Sequence, residues 1–415
     1  MNKSAQISAA ILLATTAGLA TAGSLDADRA YASELKADAA TRSSLNVGNA
    51  NNIEVEVDLT FTYSYNDRSG ASLGDDGTTV GFALGEAQVR ISGDVTENMS
   101  ATVSFDFGPE DGVGFRSFLG SRGGSAILED AFVDWEVNDS FSLRIGQFIP
   151  NFSSEANTSE RNTLSLYRSV SHEFLNTPSW TQGVEAHFGG DNWAGTIGFT
   201  DGFGAGNTGI ADLASSSSSA AAEADYAFHA RFDYYSDSDQ ARFNDQTSWK
   251  GSSNAWRVGG GIAFATVGDT NPAFGGASGV DGLFWNIDAA FEGDGWTVRA
   301  AVFGTSIDPD GGTSFDDMGF EIGGSVFMSD QWELFARYDM MILDDNGAGL
   351  IGAGVDDSFS FVGIGANYYF VPESHAAKFT VDATFTLDDS TNMDALMGGS
   401  GSNDPDVTGV LGLSD

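Results

Sequence analysis

The chain has 415 residues and carries 59 Asp+Glu against 18 Lys+Arg, a formal charge of −41. That balance excludes a nucleic-acid binder, which needs a basic footprint on the phosphates, and the absence of Cys excludes disulfides and thiolate-held metals. With 53 Gly, only 7 Pro and 12% aromatics, the composition suits long strands joined by tight turns and excludes a chain disordered throughout.

Residues 1–22 read as a secretory signal. Lys3 gives a short basic start, Ile7 to Ala20 an apolar run of small residues, and Ala20-Thr21-Ala22 a cleavage site. The run falls short of the ~20 residues that a membrane anchor helix needs. Ala30-Tyr31-Ala32 offers a second cleavage site. Residues 23–50 are rich in Ala, Leu, Glu, Lys and Arg and read as a short periplasmic helix or as a linker.

From residue 51 to 415 the pattern is strand, turn, strand. The stretch "NIEVEVDLTFTYSYN" (52–66) puts Ile53, Val55, Val57, Leu59, Phe61, Tyr63 and Tyr65 on one face and Glu54, Glu56 and Asp58 on the other. In a soluble sandwich the apolar face is core; in an outer-membrane barrel it meets lipid and the acidic face lines water. Similar alternation runs from "EAQVRISGDV" through "AKFTVDATFTL", giving about fifteen strands. Bacterial single-chain barrels have an even number, so the sixteenth is assigned to the C-terminal "VTGVLGLS", with 391–406 as the last external loop.

Short turns such as "NDS" and "EGDG" are expected to alternate with long connections at 66–78, 108–125, 201–225, 236–254, 304–316 and 342–357. The tract "ASSSSSAAAEA" falls in one of these and reads as a surface loop. Trp193, Trp256, Trp296 and Trp332 fall at or near strand starts, where an interfacial girdle would lie. The fold class is therefore all-β: a transmembrane antiparallel up-and-down barrel of sixteen strands behind a short N-terminal helical segment.

Alternation places Arg90, Arg144, Arg231, Arg257, Arg299, Arg337 and Lys378 on the lumen face. Glu54, Glu56, Asp58, Asp134 and Asp339 share it, among further carboxylates that outnumber the bases. Acidic rings favour cations, whereas a row of arginines at the narrowest level would favour anions. Paired Arg–carboxylate rows that merely solvate the wall are the third reading. Residues 149–181 form the longest connection, and so long a loop in a compact domain is usually functional. It carries Glu155, Glu160, Arg161, Arg168, His172 and Glu173, mixed charges suited to a constriction; an external loop is the alternative.

The stretch "DAFVDWEV…LRIGQFIPNF…SERNTLSLYRS…TQGVEAHFG" at 130–188 resembles the phosphate-selective porin O/P family. The matches are Ala131 to Trp135, Gly146-Gln147-Phe148, Pro150, Phe152, Ser159, Arg161, Arg168-Ser169 and Gly183-Val184. The late strand "GIGANYYF" is similar as well. The resemblance implies a sixteen-stranded trimeric outer-membrane channel in which 149–181 folds inward. It departs in charge: Ile149 stands where the family often has Lys, and 149–181 contains no Lys. Phosphate selectivity is therefore not carried over.

Enzymatic chemistry has little support. His172, His187, His229 and His375 are the only histidines, and none lies in a Ser-His or metal-binding spacing. "DPDGGTSFDD" (308–317) hints at calcium, but Gly312 stands where an EF-hand loop needs an oxygen ligand. Weak divalent cations at acidic loops are the expected ion chemistry, with no cofactor. "NTS" at 157–159 matches a glycosylation sequon that is uninformative in a bacterial barrel. The expected function is a trimeric diffusion porin for small hydrophilic solutes and ions. An anion-specific channel and a secreted β protein binding calcium or glycan are the alternatives.

Overall fold

Apolar side chains lie outside this molecule and polar ones inside. Ile53, Val55, Leu59, Phe61, Tyr63 and Tyr65 are exposed, while Asp58, Thr60 and Thr62 between them are buried. A soluble sandwich would show the reverse, so burial decides which way the greasy face looks. It looks at lipid. The computed structural model describes residues 5–16, 53–68, 77–107, 126–176, 178–203, 224, 226–267, 279–345 and 357–388.

Sixteen antiparallel strands close into one barrel, each paired to its chain neighbour. They are β1 (Ala5–Thr16), β2 (Ile53–Arg68), β3 (Gly77–Thr96), β4 (Met99–Asp106), β5 (Ile127–Asn138), β6 (Phe141–Phe148), β7 (Thr181–Gly190) and β8 (Trp193–Thr200). The ring continues with β9 (Tyr226–Tyr235), β10 (Ala255–Val267), β11 (Val280–Gly293), β12 (Trp296–Pro309), β13 (Phe315–Phe327), β14 (Trp332–Ile342), β15 (Ser358–Tyr369) and β16 (Lys378–Thr386). Closure leaves the wall without a free sheet edge, which hydrocarbon requires.

The strands β2 to β16 are the fifteen expected from alternation. The seam between β2 and β16 is filled by Ala5–Thr16, whose backbone pairs with both. These are residues that the sequence assigns to the signal. The expected closing strand "VTGVLGLS", the loop 391–406 and the segment 23–50 lie outside the described residues.

Three connections differ from expectation. The hairpin between β12 and β13 is short, because β12 runs on to Pro309 and β13 starts at Phe315. A long connection at 268–279 takes its place in the rhythm. And 236–254 cannot share an end with 201–225, because one strand, β9, separates them. It lies at the short-turn end, the periplasmic end in barrels of this kind.

The tryptophans mark that same end. Trp193, Trp256, Trp296 and Trp332 are all partly exposed to the outside. Trp256 packs near Tyr234 with ring centroids 5.8 Å apart, and Trp332 near Tyr368 at 5.0 Å. This is the girdle expected where the wall meets the lipid headgroups. Between the girdles, Ile287 stands mid-strand on β11 and is 61% exposed. Ile287→Arg should cost about 2–4 kcal/mol at the bilayer midplane. The expected readout is loss of the folded, heat-resistant band in a lipid refolding assay, with Asn286→Ala on the inner face retaining it.

Candidate functional site

The inner wall is crossed by one long segment. Residues 149–180 leave β6 and turn into the lumen. Ser153 caps a short helix α1 (Ser154–Asn157) by accepting from the Ala156 amide, and Ser169 caps α2 (Val170–Leu175) by accepting from the His172 amide. Both caps satisfy amides that a short helix leaves orphaned.

Wall side chains hold the segment by its backbone. Glu185 accepts from the Asn151 amide at 2.9 Å. The Phe152 carbonyl accepts from Arg231 Nη1 at 3.2 Å and Asn286 Nδ2 at 2.9 Å. Lys378 Nζ donates to the carbonyls of Arg161 (3.1 Å) and Thr163 (2.7 Å). Asn367 and Arg337 donate to the carbonyls of Leu164 and Tyr167. Asp382 accepts from the Ser165 hydroxyl and the Leu166 amide, and Asp339 from the Ser171 amide at 3.0 Å. Asn176 donates to the Trp285 carbonyl at 3.1 Å. These contacts bind the segment to β7 and to most of the arc from β9 to β16.

Two features of the wall make room for it. On the loop side of β12, β14 and β15 the inner face is apolar. Phe303, Met341, Phe359 and Phe361 form a buried cluster with Leu343 and with Val170 and Leu175 of α2. This part of the inner wall is a core. On β10, the run Gly259-Gly260-Gly261 places two glycines inward. A Cβ on Gly261 would stand 2.1 Å from the Phe152 carbonyl oxygen, and one on Gly259 would stand 2.0 Å from Asp233 Oδ1. Gly198 on β8 serves His229 likewise, since its Cβ would overlap the imidazole that reaches Glu185 at 2.6 Å.

The arginines expected on the lumen face are there, and nearly all are matched by carboxylates. Arg231 spans Asp233 (2.6 Å) and Asp288 (2.8 Å), and Arg257 donates to Asp288 at 2.6 Å. Arg144 makes a two-pronged contact with Asp134 at 2.8 and 3.0 Å. Arg90 pairs with Asp130 at 2.8 Å. Arg337 lies 3.6 Å from Asp339. Arg161 reaches Asp58 at 3.0 Å and Glu56 at 3.4 Å, so it bolts the segment to β2. Arg168 contacts Glu160 at 3.3 Å and the carbonyls of Glu155, Ala156 and Thr158. Arg299 is the exception: it is half-buried and donates to the Asp245 carbonyl at 2.9 Å.

Arg257, Arg299 and Arg337 sit on one cross-strand row, alternating with Ala290 and Gly323. Register, which alternation cannot give, makes this row, and two of its three members are ion-paired. Of the remaining expected residues, Glu54 is exposed near the strand start, Glu173 is half-buried on α2, and Glu155 and His172 are buried inside the segment.

Glu155 and His172 form the segment's internal latch. The Glu155 carboxylate accepts from the Ser169 amide (2.7 Å) and hydroxyl (3.0 Å), and lies 3.8 Å from His172 Nδ1. Ser169 also donates toward Glu321 on β13. Burial alone would raise the Glu155 carboxyl. The His172 ring, the hydrogen bond with Glu321, Arg337 and the Ser169 amide outweigh burial and hold it at about 2. Burial pushes His172 below its usual value against the pull of Glu155.

Both groups bind protons less readily in the seated segment than when released, so acid favours release. Seating should weaken first as pH falls through the ordinary His range near 6.5, then again below the ordinary Glu range near 4.5. The expected result is rising open-channel current noise from pH 7 to pH 4. His172→Gln should remove the upper part of that rise and Glu155→Gln the lower part.

A second inward element went unrecognised. Residues 236–254, at the turn end, cross from β9 to the β15–β16 turn. Arg242 pairs with Glu292, Thr247 Oγ1 bonds the Tyr369 hydroxyl at 3.1 Å, and Asp245 lies 3.3 Å from His375. Trp249 packs on Phe327, Tyr369 and His375. Gln246 meets the first segment, donating from its amide to the Asn162 carbonyl and accepting from the Leu164 amide. The sequence signal was present: two long connections flank a single strand, so they must lie at opposite ends.

Asp308 accepts from Ser314 inside the β12–β13 hairpin, whose turn is made by Gly311 at φ +74°. Among the described residues, no group of three or more His, Asp and Glu is arranged to hold a metal. His187 and His229 both contact Glu185 in the wall.

The chain resembles solved outer-membrane structures at low identity. The anion-selective porin from Comamonas acidovorans is 10% identical, with 81% of this chain and 98% of that chain covered and a TM-score of 0.49. The outer membrane channel DcaP of Acinetobacter baumannii gives the same identity, coverages and score. OmpF of Salmonella typhi in complex with daunomycin is 11% identical, with coverages of 93% and 97% and a TM-score of 0.46. No curated protein matches the chain. The family described as phosphate-selective porin O and P matches residues 55–257, just under half of the chain and from the second strand to the tenth. That stretch holds the GQF strand, the inward segment and the Gly-Val strand, and over it this outer-membrane barrel is similar to the phosphate-selective porin O and P family.

Proposed function

We infer that the chain passes small hydrophilic solutes and ions passively across the outer membrane, with residues 149–181 setting the constriction. The observation that carries this reading is the segment's position: it lies inside a closed barrel and is fastened by its backbone to wall side chains, so it narrows the lumen without capping it from outside. Selection then comes from the width left open and from wall charge, with no bond made or broken. Glu155, Glu160, Arg161, Arg168, His172 and Glu173 are the constriction residues of this reading. The lumen residues named above form the facing wall.

The mature protein is proposed to begin after Ala22 and to assemble as a homotrimer. Cleavage there removes Ala5–Thr16 and exposes the edges of β2 and β16. Open edges are not tolerated in hydrocarbon, so "VTGVLGLS" is the proposed replacement strand. Intact mass of the membrane-extracted protein tests the cleavage, and truncation after Asp406 should then abolish folding. Retention of residues 1–22 in the mature protein would refute both. The function itself is tested by planar-bilayer recording of the purified protein. Stepwise ohmic conductance supports it. Absence of conductance from a folded, heat-resistant barrel would refute it.

A further inference from the structure

The two inward segments do not fill the barrel evenly. On the arc from β9 to β16 most inner-face charges are sealed. The side chains of Arg231, Asp233, Arg257, Asp288, Glu292 and Asp339 are each at most 8% exposed. On the arc from β3 to β6 several stay open to solvent, although Glu129 is buried. Arg90 is 34% exposed, and Arg144 and Asp134 are each 28% exposed. The same wall, folded by the same alternation, is dry on one side and wet on the other. We propose that the water path runs off-centre, between segment 149–180 and the inner faces of β3–β6, and that this arc makes the pore cation-selective. The proposal rests on the porin reading and adds where ions travel and which sign they carry.

The chemistry of the open arc supports that sign. Its arginines are each held against a carboxylate: Arg90 on Asp130, Arg144 on Asp134, and Arg161 of the segment on Asp58 and Glu56. Phe132 lies between the first two pairs, with the Arg144 guanidinium 4.0 Å and the Arg90 guanidinium 6.0 Å from its ring centre. Both guanidiniums lie within cation–π reach of the ring. A bulge on β5 adds further negative charge. Val103 pairs with Ala131 but Phe105 pairs with Leu128, so Glu129 and Asp130 both turn inward opposite Ser104. With Asp106 and Glu136 on the same faces, the arc is net negative.

Meanwhile the arginine row on β10, β12 and β14 lies on the opposite side of the ring. Arg257 is sealed and Arg337 is only 11% exposed. Buried, paired cations cannot concentrate anions in water they do not meet. Arg299 is the one member of that row that could contest the result.

The absence of Cys gives a clean background for locating the path. Ser92→Cys places a thiol on the inner face of β3, in the open arc. Thr297→Cys places one on the inner face of β12, where Thr297 is 2% exposed. A cationic methanethiosulfonate reagent added during bilayer recording should reduce the current of Ser92→Cys and leave that of Thr297→Cys unchanged. The wild-type reversal potential in a KCl gradient should report K⁺ over Cl⁻. Asp134→Asn with Glu136→Gln should lower that preference severalfold, while Arg299→Gln leaves it within about twofold, since its charge lies outside the path. Anion selectivity in the wild type would overturn the proposal. So would block of Thr297→Cys but not Ser92→Cys, or a selectivity change confined to Arg299→Gln. All three leave the porin reading standing. No channels from any folded variant would instead overturn both.

Discussion

Arg231→Ala is expected to destabilise the barrel by about 3–5 kcal/mol, the usual result of breaking a buried charge pair from one side. Arg231 is the hub of the sealed arc. Its side chain is 2% exposed and bonds Asp233, Asp288, Asn286 and the Phe152 carbonyl together. Removing it leaves two buried carboxylates with Arg257 alone between them and orphans a loop carbonyl. The penalty comes from stranded charge more than from lost attraction. Arg231→Met combined with Asp233→Asn should therefore recover most of the loss, because Arg257 and Asp288 then remain as one neutral buried pair. Urea midpoints in lipid vesicles measure both. If the single variant matched the wild type, the lattice would be contributing nothing to the wall.

Gly261→Val is the second large effect, and it acts on the pore more than on the wall. The added carbon falls 2.1 Å from the Phe152 carbonyl oxygen, backbone against backbone, so the segment must move. Displacement breaks the bonds to Arg231 and Asn286 at the point where the segment enters the barrel. The expected result is a single-channel conductance raised severalfold with frequent current steps, in a protein that still forms heat-resistant barrels. The neighbouring Gly260→Ala is the control. Its Cβ points outward, where the nearest atom, the Asn286 carbonyl oxygen, is 3.0 Å away, and a small shift relieves it. Unchanged conductance in Gly261→Val would mean that Phe152 is not an anchor of the constriction.

Much of this was legible in the sequence. Strand periodicity located β2 to β16 because an outer-membrane strand must present one face to lipid and one to water, and that requirement writes a period of two into the residues. It also placed Arg231, Arg257, Arg337 and Asp339 on the inner face, since parity along a strand needs no knowledge of neighbours. The length and composition of 149–181 sufficed to single it out as the proposed constriction.

What periodicity could not supply was anything that depends on two strands at once. Parity says that Arg231 and Asp288 both point inward. Only register, fixed when the barrel closes, brings them to 2.8 Å across a glycine on the strand between. The glycines of "VGGGIAF" look like weak strand residues in one dimension. In three they are the floor that admits a side-chain lattice and a loop carbonyl. The inner apolar cluster around Phe303 and Phe359 was equally hidden, because nothing local tells an inward Phe that α2 will cover it. Likewise the split between a sealed arc and an open one is set by where two chain segments cross the lumen. The sequence by itself determined the strands, their two faces and a net negative chain, because those follow from local solvent contrast. Only the tertiary structure decided which charges still touch water, because that depends on which distant backbone lies over them.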